Sequence, residues 1–289
     1  MRIPEKYQSL LELNLAMLFI STSGALGRFI AMPTPLVIAI RAIIAGIILY
    51  SFGKFFLKLD FTIDKKDRKM VYLGGFLMGL HWVTYFYSLQ LANVAIALLT
   101  LFVYPAMTVV LEPLILKTPF KKKHLLVSGL ILVGIYVLAP DITLESETFQ
   151  GICVGLFSAL SFSLRVILIK PQVEKYNQTV LMYHQMLIIS ILLLPSLYLF
   201  EWDAFKIYGP YIGLLGLLVT AMGHTLFVYS LKKFSAASAS LMSALQPIYG
   251  IIIAVLFLGE YPTYQTIIGG TIIIFAVLIE SLTFFSKDD

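Results

Sequence analysis

Arg28, Arg41, Arg165, His81, His224 and Glu112 stand inside stretches that are otherwise apolar, and a polar group in such a setting needs a chemical reason. Arg28, Arg41 and Arg165 could draw in a carboxylate or phosphate. Each has a plainer reading. Arg28 and Arg165 fall near the ends of their apolar runs and could snorkel to lipid headgroups, and Arg41, about two turns in, could tie neighbouring helices by satisfying several carbonyls. Glu112 is expected at a depth similar to Arg165, which allows an ion pair between them. His81 is the most central titratable group, with Tyr85 and Ser88 at i+4 and i+7 on the same helical face, and His224 lies deeper. A protonatable histidine in a cavity could take up and release protons. An imidazole that packs helices while bonding Tyr or Ser is the alternative, and it is the better reading for His184.

Two further stripes accompany these charges. Thr100, Tyr104 and Thr108 recur at four-residue spacing, with Ser243, Gln246 and Gly250 as their counterpart. Trp82, Tyr85, Phe102 and Tyr249 could supply apolar walls, although a single aromatic is more often plain packing. Pro105 and Pro247 follow Tyr104 and Gln246 directly. Proline within a helix removes one i to i−4 bond and bends it, so each would free a carbonyl beside a polar side chain. Enzyme signatures are missing from the sequence: it has no HExxH, GxSxG, P-loop or GxGxxG. Four scattered histidines and the single Cys153 give no metal cluster and no disulfide framework. Neither catalysis nor a cofactor is expected.

The elements that must position these residues follow from composition. Of 289 residues, 59% are hydrophobic and 13% charged, against roughly 45–50% and 25% in a soluble domain. Lipid is therefore the solvent. The net charge of +5 does not signal nucleic-acid binding, because most of the cations sit in short loops between apolar runs. A bilayer core of ~30 Å needs about 20 helical residues, and ten runs approach that length. They are Leu11 to Ile30, Pro35 to Phe55, Met70 to Leu91, Val94 to Leu116, His124 to Ala139, Gln150 to Lys170, Thr179 to Leu199, Tyr208 to Ser230, Ala236 to Leu258, and Tyr264 to Phe285. Segments such as IIGGTIIIFAVLIE are apolar on every face, which excludes barrel strands. Arg2 and Lys6 precede the first run as they would in a leader peptide. No small-x-small site follows, so the run is kept as a helix.

Lysine and arginine in short loops set orientation. With a cytoplasmic N-terminus, seventeen of the 21 fall inside; Lys206 falls outside and Arg28, Arg41 and Arg165 lie within spans. Both termini are expected in the cytoplasm.

The chain also repeats itself. YSLQLANVAIALLTLFVYPAMTVVLEPLIL, from Tyr87, matches YSLKKFSAASASLMSALQPIYGIIIAVLFL, from Tyr229, at a constant offset of 142, with nine of thirty columns identical. The YSL triplet and the proline carry most of the weight. Ser21, Gly24 and Arg28 share the spacing of Ser158, Ser161 and Arg165. Five spans per copy is an odd number, so the second copy must enter the membrane upside down. Inverted repeats are a hallmark of alternating access, with substrate held near the midplane between the copies.

With its paired halves, Arg41, the two prolines and the LGE of Leu258 to Glu260, the chain resembles the EamA-type transporters of the drug/metabolite transporter superfamily. Lys117 and Thr118 stand where the second half has Gly259 and Glu260, a departure from the pattern, and Glu260 is accordingly assigned no transport role. The resemblance implies an all-α membrane protein with halves at 1–139 and 140–289, a cavity lined mainly by spans 1, 3, 4, 6, 8 and 9, and most often export of small metabolites. The expected function is export of an amino acid or related organic acid across the plasma membrane. The expected site comprises His81, Trp82, Tyr85, Tyr104, His224, Gln246 and Tyr249, with Arg28, Arg41, Glu112 and Arg165 as charged gates. The expected partners are a small solute, lipid and protons as the coupling ion. Uptake of a phosphorylated or nucleotide-sugar solute is the alternative within transport. A non-transporting scaffold or lipid-modifying protein is the alternative outside it.

Overall fold

The structure is a computed structural model that describes residues 5–117, 129–130, 133–134, 136–137, 143–236, 239–240 and 243–285. The described residues are helical, with no strand among them. The helices are α1 (Glu5–Phe29), α2 (Thr34–Ser51), α3 (Lys65–Leu91), α4 (Val94–Leu101), α5 (Tyr104–Leu116), α6 (Glu147–Ile169), α7 (Gln178–Leu193), α8 (Trp202–Leu214), α9 (Thr225–Ser230), α10 (Gln246–Leu258) and α11 (Tyr264–Phe285). Wide π-helical turns extend α2 through Phe52–Phe56 and join α8 to α9 through Leu215–His224.

Five continuous stretches are long and apolar enough to cross a membrane: Thr34–Phe56, Val94–Leu116, Glu147–Ile169, Gln178–Leu199 and Trp202–Ser230. α1 and α3, at 25 and 27 residues, have the length, and α3 carries the polar stripe around His81. α10 and residues Tyr264–Ala276 are shorter apolar helices. The span expected at His124 to Ala139 lies largely outside the described residues, although 129–130, 133–134 and 136–137 are helical. Arg2, Lys121 to Lys123, Asp141 and Lys287 of the charge count also lie outside them.

Helix starts are set by short polar side chains that take up the first free amides. The side chain of Asn93 accepts from Ile96 N at 2.9 Å, Ser146 from Phe149 N at 3.3 Å, and Asn177 from Thr179 N at 2.9 Å. Two helix ends are of special interest. α5 closes on Lys117 at φ 56° and α10 on Gly259 at φ 68°. These positions are related by the 142-residue offset, so the two copies use the same left-handed cap. Glycine adopts it freely, whereas lysine must bear the steric cost.

The packing has a matching regularity. α3 lies on α6, and α1 lies on the π-turn and α9; α1 lies on α10, and α6 on α4 and α5; α2 lies on α7. Exchanging α1, α2, α3 and α4–α5 for α6, α7, the π-turn with α9, and α10 turns these contacts into one another. Small residues permit the close approaches. A Cβ at Gly250 would collide with Leu98 of α4, and one at Gly27 would sit 2.9 Å from the Phe86 ring of α3.

Candidate functional site

Both matched prolines stand at the second residue of a restarted helix. The first-half span breaks at Phe102 and Val103 before α5 resumes at Tyr104, and the second-half span passes through a tight turn at Ser243–Leu245 before α10 resumes at Gln246. Pro105 and Pro247 have no N–H for the carbonyls of Leu101 and Ser243 four residues back. Tyr104 and Gln246 are thus presented at the breaks, and both line a central cavity with Met17, Ile20, His81, Leu101, Phe162, His224 and Phe227. Its volume, about 10 Å³, is at the threshold for a single water. The centre is closed in this structure.

Of the expected site residues, His81, Tyr104, His224 and Gln246 meet at this cavity. Ser158 Oγ lies 2.8 Å from His81 Nδ1 and 2.9 Å from the His81 carbonyl, tying α6 to α3 beside the cavity. The Ser21 hydroxyl lies 2.6 Å from the Met17 carbonyl of its own helix and 3.0 Å from the Gln246 carbonyl across the halves, so its donation is shared between them. Trp82 and Tyr85 are buried one layer away. The Trp82 ring lies 5.3 Å from His224 and the Tyr85 ring 6.1 Å from His81. Tyr249 is partly buried against the core and is not a cavity wall.

Phe162 is the residue that the sequence reading missed. Its ring lies 4.6 Å from His81, 4.8 Å from Tyr104, 5.8 Å from Phe227 and 6.4 Å from His224. Its place on α6, four residues after Ser158 and three before Arg165, was the available signal. His184 bonds the Phe61 carbonyl at 2.8 Å, away from this cluster.

The arginines separate into two kinds. Arg41 and Arg165 are fully buried. Arg41 Nε donates to Thr220 Oγ1 at 2.6 Å, with the guanidinium 3.9 Å above the Trp82 ring, a favourable cation–π stack. Thr220 belongs to the π-helical turn. Arg165 does not reach a membrane surface, and the ion pair with Glu112 does not form. Its Nε and Nη2 donate to Gln185 Oε1 of α7 at 3.1 and 2.8 Å, and α3 packs against both α6 and α7 beside it.

Arg28 is half-buried at one end of the bundle. Its Nε donates to Glu260 Oε1 at 3.0 Å and its Nη1 to the carbonyls of Leu89 and Gln90 at 3.0 Å. Glu260 Oε2 accepts from Val94 N, the first amide of α4, at 3.0 Å. Glu260, given no transport role from the sequence, stands where a carboxylate meets both an arginine and the positive end of a helix. At the opposite end, Glu112 Oε1 accepts from Ala236 N at 3.2 Å. Val94 and Ala236 open equivalent spans, again 142 apart. Each is met by a glutamate near the far end of the other half's span, so the two spans run in opposite directions. Asp67, Lys175 and Tyr176 clamp α3 to the turn after α6 at the Glu112 end, with bonds of 2.9 and 2.8 Å. Donation from Lys175 and then Tyr176 holds the Asp67 carboxyl below the usual carboxylate range, so this clamp persists through neutral and mildly acidic pH.

The sequence model of the EamA-like transporter family matches residues 10–139 and again 149–282. The chain belongs to the EamA-like transporter family. An uncharacterized transporter of Archaeoglobus fulgidus is 28% identical over 217 residues, covering 75% of this chain and 77% of the relative. An uncharacterized transporter of Synechocystis is 26% identical over 214 residues, covering 71% of this chain and 64% of that protein. A solved crystal structure superposes with a TM-score of 0.70 at 18% identity, covering 96% of this chain and 97% of the other, which establishes a shared fold. This EamA-like chain is a multi-pass membrane transporter.

Proposed function

We propose that this transporter is a secondary carrier of ten spans, built as two inverted five-helix halves, 1–139 and 140–289. In this reading it exports a small amphipathic metabolite, an amino acid or related organic acid, across the plasma membrane by alternating access. Both termini are cytoplasmic, which puts the Arg28 end outside and the Glu112 end inside. The observation that carries the reading is the pair of broken spans that meet at His81, Tyr104, His224 and Gln246, with each span's opening amide held by a glutamate of the other half. Release of one carboxylate at a time would open one side of the cavity while the other stays sealed. Bilayer-embedded polar residues are costly, and their convergence between two halves suits a binding site better than a scaffold.

The test is flux into proteoliposomes by the full chain. His81→Ala, Tyr104→Phe and Gln246→Ala should each lower flux of a transported solute by about tenfold, the effect of ~1.4 kcal/mol, while leaving thermal stability close to that of the parent. Unchanged flux in all three would remove the site.

A further inference from the structure

We infer that the transported solute is an organic acid that carries no ammonium group: a carboxylate on an aromatic or branched apolar body, of the 2-oxo or 2-hydroxy acid class. The inference rests on the transport reading and narrows its substrate.

Among the described residues, the charged side chains buried at the centre of the bundle are Arg41 and Arg165. Arg41 and Arg165 are buried without an acidic partner: Arg41 is held by Thr220 and Trp82, and Arg165 by Gln185 and Met182, all neutral groups. Arg41 Nη1 and Nη2 and Arg165 Nη1 have no hydrogen-bond partner. Nearby, the Tyr85 hydroxyl, His224 Nδ1 and Gln185 Nε2 are also unpartnered. Among the described residues Asp67 is the buried acid, and it is committed to Lys175 and Tyr176 at the Glu112 end. Unpaired N–H groups of a buried guanidinium are expensive, and an incoming carboxylate is the group that satisfies two of them at once.

An amino acid would satisfy those donors with its carboxylate but bring a second charge. Its ammonium would find no carboxylate in the described core and would sit near two guanidiniums, where like charges repel strongly in a low-dielectric setting. A 2-oxo acid presents the same carboxylate and only acceptors beside it. The remaining walls fit an apolar body: Phe162, Tyr104 and Phe227 supply rings, and Met17, Ile20 and Leu101 supply aliphatic surface. Trp82 beneath Arg41 and Phe162 near Arg165, at 5.8 Å, connect the cations to that cavity.

The experiment is counterflow and Trp fluorescence titration on the full chain in neutral-lipid proteoliposomes, using phenylpyruvate, L-phenylalanine and 2-phenylethylamine as a matched series. Phenylpyruvate should be preferred over phenylalanine by about tenfold or more, with no detectable binding or movement of the amine. Arg41→Gln should lose that preference, and Arg41→Lys, which keeps the charge, should retain part of it. Phenylalanine handled as well as or better than phenylpyruvate would overturn the inference and leave the transport reading standing, as would movement of the amine. Binding and movement of none of the three would count against both.

Discussion

The two ends of the bundle do the same job with residues that the repeat does not relate. At one end Glu260, just past α10, meets Val94 N and Arg28. At the other Glu112, inside α5, meets Ala236 N. The amides are equivalent under the 142-residue offset, but the carboxylates are not: Glu112 aligns with Ala254, and Glu260 with Thr118. The symmetry therefore resides in the backbone, where two helix N-termini demand an acceptor, and each half satisfies that demand from whichever side chain reaches. The α5 and α10 caps teach the same lesson, with Lys117 and Gly259 sharing one left-handed conformation.

Removing the carboxylates one at a time is the most forceful way to break this comparison. Glu260→Gln loses a charge-assisted bond to Arg28 and a helix-capping charge, which should loosen the Arg28 end by about 2 kcal/mol. Glu112→Gln should loosen the opposite end instead. Single cysteines placed near each end, in a Cys153→Ala background, would report this as faster thiol labelling at the end whose glutamate was changed. Labelling that rises at the same end in both variants would show that the carboxylates are not counterparts.

The matched prolines offer a smaller effect. Pro105→Ala and Pro247→Ala each restore an amide at a helix break, and a mended helix should hinge less readily. Flux should fall by about tenfold in either variant, equivalent to ~1.4 kcal/mol in the barrier. A loss confined to one of them would mean that the two breaks serve different purposes.

The smallest expected change is at the caps. Lys117→Gly relieves a strained left-handed residue and should raise stability by about 0.5–1 kcal/mol, less the added entropy of the unfolded chain. Thermal unfolding in detergent would measure it, and Gly259→Lys should cost a similar amount in the other half.

Much of this architecture was legible in the sequence because its causes are local or periodic. Long apolar runs follow from bilayer thickness, helix breaks from proline, and the repeat from the YSL and proline columns. The cavity residues His81, Tyr104, His224 and Gln246 were visible because polar groups are rare in such runs. What escaped depended on neighbours. Phe162 is one of 21 phenylalanines, and its spacing from Ser158 and Arg165 is a faint signal until packing brings its ring to His81 and Tyr104. Arg165 looked peripheral when its depth was judged from the end of α6, yet Gln185 of α7 holds it in the interior. The structural part played by Glu260 was hidden because its aligned position is Thr118, whereas the structure matches amides across the halves and leaves the side chains free to differ.

The central claim is that the two ends open in alternation around a shared site. Double electron–electron resonance between spin labels placed across the Arg28 end, and separately across the Glu112 end, measures this directly in liposomes. The account predicts that substrate and the two glutamate variants shift the distance distributions in opposite senses, one end widening as the other narrows. Simultaneous widening at both ends, or distances that never move, would contradict it.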